Sequence, residues 1–132
     1  MKTDLAGELA ESIAVLHLIV SGYIVSRPVN KCRYDLLTDK DGEILKIQVK
    51  KGKVTDDYIR FSTASVSGAK RKRKQYTSDE IDYFLVVDVE NEISYMVDVG
   101  LGAKGSQRLR LTPTKNGQSK GILFAKDFLL RE

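Results

Sequence analysis

The first part of the chain repeats apolar residues at the spacing of an α-helix. Intervals of three and four residues are typical of one helical face, so we expect a helix over residues 4–21. Thr3 or Asp4 can cap its start, and Gly22 is a natural end. Further apolar residues around the main stripe indicate that the helix is well covered. The predicted stripe consists of Leu5, Leu9, Ile13, Leu16 and Val20.

Patterns typical of strands follow the helix. Residues 23–25 form a short β-prone run, and residues 58–63 form a longer one. Between them, residues 34–38 and 44–50 flank an Asp41-Gly42 turn. Two strands around such a turn predict a β-hairpin.

The second half of the chain mixes loops with short elements. Residues 64–79 are polar and basic, and we expect them to be flexible, apart from a helical turn indicated by the capping-box spacing of Thr77 and Glu80. The remaining pattern predicts a second hairpin from 81–89 and 93–99, a strand at 107–112 and a short closing helix at 121–130. One α/β domain over residues 1–132 fits this order.

Composition narrows the class of protein. A chain of 132 residues with 42% apolar residues can bury a core and is not expected to be disordered. Cys32 is the only cysteine, which excludes a disulfide framework and a zinc ribbon. The sequence has no apolar run long enough to span a membrane and no secretory signal, so we expect an intracellular protein.

The positive charge is clustered. The net charge is +4, and residues 101–132 alone hold seven Lys or Arg and two Asp or Glu. Residues 70–74 are five consecutive cations. Such clustering favours a polyanion as the partner. A Gly-rich phosphate loop is lacking, so a nucleotide cofactor is not expected.

Four polar residues converge once the first hairpin is drawn. Gln48 and Lys50 share one strand face, because alternate residues point the same way. Ile47 and Val49 point the other way, into a core. The partner strand brings Asp35 alongside them. Glu11 joins from the helix, where its neighbours at i−4, i+3 and i+4, namely Gly7, Ala14 and Val15, are small or apolar.

This grouping suits phosphodiester hydrolysis with a divalent cation. Oxygen ligands suit Mg²⁺, so Asp35, Glu11 and the Gln48 side-chain oxygen are the candidate metal ligands. Lys50 would orient the attacking water and stabilise charge on the phosphate. The alternative is an ordinary surface hairpin in which Lys50 pairs with Asp35.

At these residues the sequence resembles the PD-(D/E)xK nuclease superfamily, with DNA-cleaving active sites built from a helix Glu, a strand Asp and an acid-x-Lys pair. The matching segments are Gly7-x3-Glu11, Tyr34–Leu37 and Ile47–Lys50. Gln48 replaces the usual acid, and in this it is similar to homing endonucleases encoded in group I introns. Further similar segments are Gly22-Tyr23-x2-Ser26-x-Pro28, Glu80–Phe84, Leu109–Leu111 and Lys115–Phe128.

The resemblance implies a restriction-endonuclease-like core with a mixed β-sheet flanked by helices, in the order α-β-β-β-α-β. The core would span about residues 1–100, and residues 101–132 would form an extension that contacts DNA. It also implies Mg²⁺-dependent, sequence-selective double-strand cleavage, with Mn²⁺ as a substitute, and a homo-oligomer, either a dimer or a tetramer. With Gln48 as a neutral ligand, the metal should bind more weakly than in a three-acid site.

Basic residues outside the site are candidate contacts to double-stranded DNA, because they neutralise phosphates and make binding sensitive to salt. Arg108 and Arg110 share a strand face and could read guanine edges. The full set of candidates is Lys51, Lys53, Arg60, Lys70, Arg71, Lys72, Arg73, Lys74, Arg108, Arg110, Lys115 and Lys120.

Three other functions stay open on the sequence. A Holliday-junction resolvase or repair nuclease would share the fold, but junction resolvases usually keep an acid at position 48. A catalytically inactive DNA-binding module would explain Gln48 as the mark of a lost site. An RNA-binding protein would need exposed aromatic residues on a sheet, and we rank it last.

Overall fold

The computed structural model describes residues 3–67 and 72–130. Within these residues the chain forms one α-helix, ten strands and two single turns of 3-10 helix. In chain order they are α1 (Thr3–Val20), β1 (Ile24–Ser26), β2 (Leu36–Lys40), β3 (Glu43–Lys51), β4 (Lys53–Val54), β5 (Tyr58–Ser62), β6 (Ala64–Ser67), β7 (Lys72–Gln75), β8 (Tyr83–Asp88), β9 (Ile93–Asp98), a 3-10 turn (Val99–Leu101), β10 (Ser106–Arg110) and a 3-10 turn (Ala125–Asp127).

The helix forms and ends as the sequence predicts, but a different face is buried. Gly22 adopts a positive φ of 93°, and the Tyr23 N–H donates to the Leu18 carbonyl, which closes the last turn. The predicted stripe is wrong as a buried face, since four of its five residues are exposed. The face against the sheet carries mainly small residues, namely Ala6, Ala10, Ile13, Ala14 and Leu18. Small side chains bring the helix close to the strands.

A mixed five-stranded sheet in the order β1-β2-β3-β8-β9 is the centre of the fold. The predicted hairpin joins β2 and β3, and Asp41 and Gly42 both take positive φ at its turn, as a two-residue hairpin loop requires. Strand β8 then runs parallel to β3, and the predicted second hairpin pairs it with β9. The parallel pairing of β3 with β8 is what the local patterns did not predict.

Much of the described chain between β3 and β8 is strand rather than flexible coil. Strands β10, β5 and β4 form a second, three-stranded sheet, and β6 pairs with β7 in a two-stranded ribbon. The prediction that residues 64–79 are flexible is therefore wrong for 64–67 and 72–75. Arg33 explains the order of this ribbon, because its guanidinium donates to β6 and to β7.

Two predicted helical segments are shorter than expected. Thr77–Glu80 forms only a turn, in which the Glu80 carboxylate accepts from the Thr77 N–H, so the described residues hold no second α-helix. The predicted closing helix at 121–130 is wrong apart from the 3-10 turn. That segment instead lies along strands, with the Leu123 carbonyl accepting from the Arg110 N–H and the Phe128 carbonyl from the Met96 N–H.

The main sheet separates two buried clusters. One lies under α1 and includes Leu36, Ile47 and Leu85. The other lies on the opposite face, where Phe84 and Val86 pack with the second sheet and with Tyr76. The β3 residues Ile47 and Val49 belong to the cluster under α1, whereas Gln48 and Lys50 lie on the opposite face of the strand.

Candidate active site

Asp35 lies at the edge of the main sheet, one residue before β2. Its N–H donates to the Ile47 carbonyl (2.9 Å), so the pairing with β3 continues past the end of β2. Its side chain turns back, and Oδ2 accepts from the Val49 N–H (3.0 Å). These two bonds hold the carboxylate beside the Gln48–Lys50 segment, as the hairpin predicts.

Glu11 lies with Asp35 on the wall of one open cleft. The cleft, of about 570 Å³, runs between α1 and the sheet edge and is lined by Asp4, Gly7, Glu8, Ala10, Glu11, Asp35, Val49 and Lys51. Gly7 and Ala10 leave the space that a larger residue would fill. Glu11 also pairs with the exposed Arg27, whose Nε lies 2.9 Å from the Glu11 Oε1.

Gln48 and Lys50 lie on the face of β3 away from α1. Their neighbours Ile47 and Val49 pack in the cluster under the helix, which confirms the predicted alternation. Gln48 is 9% exposed, and its Nε2 donates weakly to the Val49 carbonyl (3.4 Å). Lys50 extends towards Tyr76, with Nζ 4.8 Å from the centre of that ring.

The charged groups of the site are partly desolvated. Burial raises the pKa of Asp35; the Val49 N–H acts in the opposite direction, while the charge of Glu11 raises this pKa further and the charge of Lys50 lowers it. Burial lowers the pKa of Lys50, which Asp35 raises and Arg33 lowers. The two shifts share their main cause, because burial disfavours the charged form of each group.

The chemistry of the oxygen atoms fits a hard divalent cation. Residues 3–67 and 72–130 contain no group of three His, Cys, Asp or Glu side chains that could hold a metal. The predicted third oxygen ligand, the Gln48 amide, is not among the residues that line the cleft with Asp35 and Glu11, because Gln48 lies on the other face of β3. Oxygen atoms of both kinds are ligands that Mg²⁺ accepts. The same part of the chain shows no ion pair between Asp35 and Lys50, in contrast to the ordinary surface hairpin considered above.

Three predicted DNA contacts form a row across the second sheet. Arg60 lies directly opposite Lys53 on β4 and Arg108 on β10. All three are exposed, whereas Ile59 and Leu109 beside them are buried. We call Lys53, Arg60 and Arg108 the cation row.

Tyr58 lies beside the cation row, and its ring contacts the guanidinium groups of Arg108 and Arg110, the two arginines of β10. The Arg108 guanidinium stacks 4.3 Å from its ring centre, and that of Arg110 lies 5.2 Å away. Arg110 also donates to the Tyr58 hydroxyl (2.9 Å) and to the carbonyls of Thr112 and Pro113. The two arginines share a face as predicted, but Arg110 is engaged by protein groups, whereas Arg108 projects into solvent.

The other basic candidates lie in several places. Lys51 lines the cleft beside Asp35. Lys72, Arg73 and Lys74 are exposed on β7, where Arg73 donates to the Gly105 carbonyl and Lys74 pairs with Glu80. Lys115 and Lys120 are exposed in the loop between β10 and the final 3-10 turn. Lys70 and Arg71 lie outside the described residues.

Sequence reasoning missed Arg33 as part of the site. This residue precedes Asp35 by two positions, and its Nε donates to the Glu80 Oε2 (2.8 Å) while its guanidinium covers the Tyr76 ring. The only signal was indirect, because the capping-box pattern marked Glu80 without its partner. The structure also buries Tyr76 beside Lys50.

Comparison with known proteins agrees with this geometry. A family model described as PD-(D/E)XK endonuclease matches residues 1–131. Among solved structures, a bacterial homing endonuclease, I-Ssp6803I, is similar with a TM-score of 0.75 and 21% sequence identity, over 98% of this chain and 89% of that one. Curated protein sequences yield no match.

The raised pKa of Asp35 predicts that its negative charge destabilises the fold. We expect Asp35→Asn to unfold at a higher temperature than wild type at pH 7 in EDTA, because Asn can still accept from Val49 without burying a charge. The native pKa lies above the unfolded one, so wild type gains stability as pH falls through the native pKa, and the difference should vanish once pH is below the unfolded pKa. Thermal unfolding from pH 7 to pH 3 measures this. The control is Asp56→Asn in the exposed loop before β5; a lower melting temperature for Asp35→Asn at pH 7 contradicts the prediction.

Proposed function

Since this chain belongs to the PD-(D/E)XK endonuclease family and is therefore a DNA endonuclease, we propose that it makes sequence-specific double-strand breaks with the help of Mg²⁺, as a homing endonuclease. The single observation that carries the proposal is the Asp35 carboxylate fixed against the strand that bears Gln48 and Lys50, across the cleft from Glu11. The likeness to a bacterial homing endonuclease supports the homing part. We propose one nuclease domain over residues 1–132, acting with DNA inside the cell.

In this proposal Asp35, Glu11 and Gln48 hold the cation. Bound there, Mg²⁺ would lower the pKa of a water molecule and offset charge on the scissile phosphate, and Mn²⁺ would serve as a substitute. Glu11 would exchange its exposed partner Arg27 for the cation. Gln48 contributes no charge, so we expect weaker metal binding than a third carboxylate would give.

Lys50 is the proposed catalytic cation. Its ammonium is partly buried, with Nζ 4.8 Å from the centre of the Tyr76 ring, and the charge of Asp35 favours its protonated form. At that position it would orient the attacking water and stabilise the negative charge that grows on the phosphate. A fixed cation in a poorly hydrated site does this better than bulk water.

A cleavage assay with Lys50→Ala tests the catalytic role. Wild type and variant are incubated with a randomised duplex library containing four-way junctions, in Mg²⁺ or in EDTA, and product ends are sequenced. We expect Mg²⁺-dependent cuts at one long motif, a loss of about 100-fold or more in Lys50→Ala, and duplex binding unchanged within about twofold. Lys40→Ala, at the far end of the β2–β3 hairpin, is the matched control.

Other outcomes of this assay lead to other conclusions. Cuts only at junctions would support a Holliday-junction resolvase or repair nuclease. Salt-sensitive binding with no cuts in any divalent metal would support an inactive DNA-binding module.

The cation row is the proposed DNA contact of the second sheet. Like charges directly opposite each other on neighbouring strands repel, so the row costs folding free energy in the free protein. A phosphate backbone lying over the row would remove that cost and gain charge-assisted hydrogen bonds. Within the row, Arg108 is the residue best placed to reach a base, because its guanidinium is already ordered on Tyr58.

Arg60→Gln should have opposite effects on stability and on binding. Removing the middle cation relieves two repulsions, so the free energy of unfolding should rise by a few tenths of a kcal/mol to about 1 kcal/mol. Duplex binding should weaken, and the slope of log affinity against log salt should fall by about one per bound chain. Denaturant melts and binding titrations between low and moderate salt measure both, with Lys40→Gln as control. Binding equal to wild type at all salt concentrations refutes the contact.

We also propose that the protein is a homo-oligomer with an even number of chains. One chain offers one site, and a double-strand break needs two. The predicted apolar stripe of α1 supports a contact between copies, because it is exposed: Leu5 and Leu16 are more than half accessible, and Leu9 and Val20 lie on the same face. Contiguous exposed apolar surface of this kind marks interaction sites, and a two-fold axis would place one stripe against another.

Leu16→Glu should separate the copies. A carboxylate in the middle of the stripe would be buried against apolar residues of the second copy, so we expect a monomer mass in light scattering where wild type gives a dimer or tetramer. The control is Val29→Glu, which places the same charge on a fully exposed residue outside the helix. A monomer mass for wild type bound to DNA would overturn the oligomer.

A further inference from the structure

We infer that Tyr76 is a positioning residue for Lys50, and that Arg33 fixes the Tyr76 ring by covering it and tying it to the β6–β7 ribbon. The inference rests on the proposed function in that Lys50 is taken as the catalytic cation. It adds two residues to the site that neither the acid-x-Lys pattern nor the metal ligands include.

The contacts of the Tyr76 ring carry this inference. Tyr76 follows β7 directly and is 7% exposed, with its N–H donating to the Thr63 carbonyl (3.0 Å). Phe84 meets the ring edge-on, at 5.8 Å between ring centres and an angle of 86°. The ring is therefore fixed by the buried cluster on the β8 side of the sheet.

Two cations lie over this one ring. The Arg33 Cζ is 3.8 Å from the ring centre and the Lys50 Nζ is 4.8 Å away, both within the range of a cation–π contact. A lysine side chain has four rotatable bonds and is ordinarily mobile, so an attraction at its tip restricts where the ammonium lies. Because the ring is rigid, it holds the Lys50 ammonium on the same side of β3 as Gln48.

Four of the five N–H donors of Arg33 are engaged by protein groups, which separates it from the exposed basic residues. Its Nε donates to the Glu80 carboxylate, Nη1 to the Ser65 hydroxyl and Nη2 to the carbonyls of Lys74 and Gln75. These bonds join the segment that carries Asp35 to the ribbon that carries the exposed cations of β7. Arg33 thus holds the Tyr76 ring while connecting two parts of the proposed DNA-binding surface.

Kinetics of Tyr76 variants test the positioning role. Tyr76→Met fills the space without a π-face, so we expect kcat to fall about tenfold or more, with KM and the duplex dissociation constant within about twofold of wild type. Tyr76→Phe keeps the ring and should retain wild-type kcat. Arg33→Gln should lower kcat with KM unchanged, because the ring keeps its contact with Phe84 but loses the guanidinium that covers its face.

An NMR measurement tests the same geometry without any cleavage. In ¹³C-labelled-lysine protein, the Lys50 ε-methylene protons should show an upfield ring-current shift in wild type and Tyr76→Phe that is lost in Tyr76→Met, with Lys50→Arg identifying the signal. If wild type shows the shift but cuts no DNA, the proposed function fails while the Lys50–Tyr76 contact stands.

Three results would overturn the inference: wild-type kcat in Tyr76→Met, an equal loss in Tyr76→Phe and Tyr76→Met, or no ring-current shift in wild type. Circular dichroism checks that each variant is folded. Should Tyr76→Met not fold, Arg33→Gln decides the matter, and an unchanged kcat in that variant rejects the positioning role.

Discussion

The hydrogen bond from the Val49 N–H to the Asp35 carboxylate is the interaction on which the candidate site depends. It fixes the carboxylate against β3, so that Asp35 and the Gln48–Lys50 segment keep a constant relation. It also offsets part of the desolvation that raises the Asp35 pKa. Without it, a partly buried carboxylate near Glu11 would favour turning out to solvent, and the cleft would lose its central acid.

Strand β3 contributes residues both to the buried core and to the candidate site. Ile47 and Val49 pack under α1, while Lys50 on the opposite face reaches the Tyr76 ring. Parallel pairing with β8 puts Phe84 beside Gln48, in the cluster that holds Tyr76. The charged tip of Lys50 is therefore supported by a rigid aromatic cluster, which limits the freedom of an otherwise flexible side chain.

Several features of the molecule oppose stability and favour function. Charges are partly desolvated at Asp35 and Lys50, and the cation row places three positive charges on neighbouring strands. Exposed leucines on α1 add apolar surface in contact with water. Each of these costs is relieved by a different proposed partner: the metal at the acids, DNA at the cations and a second copy of the chain at the helix.

The sequence by itself determined the local elements and the placement of Asp35 beside β3. The helix, both hairpins, the Asp41-Gly42 turn and the convergence of Asp35 with Gln48 and Lys50 follow from spacing of a few residues, because turn geometry and strand alternation are local. Only the tertiary structure decided which face of α1 is buried, since Ala-rich and Leu-rich faces are both apolar and the choice depends on how closely the sheet approaches. The tertiary structure likewise decided that the β6–β7 ribbon forms and where Arg33 and Tyr76 lie. These features depend on contacts between residues more than 30 positions apart, such as those of Arg33 with Lys74 and Gln75.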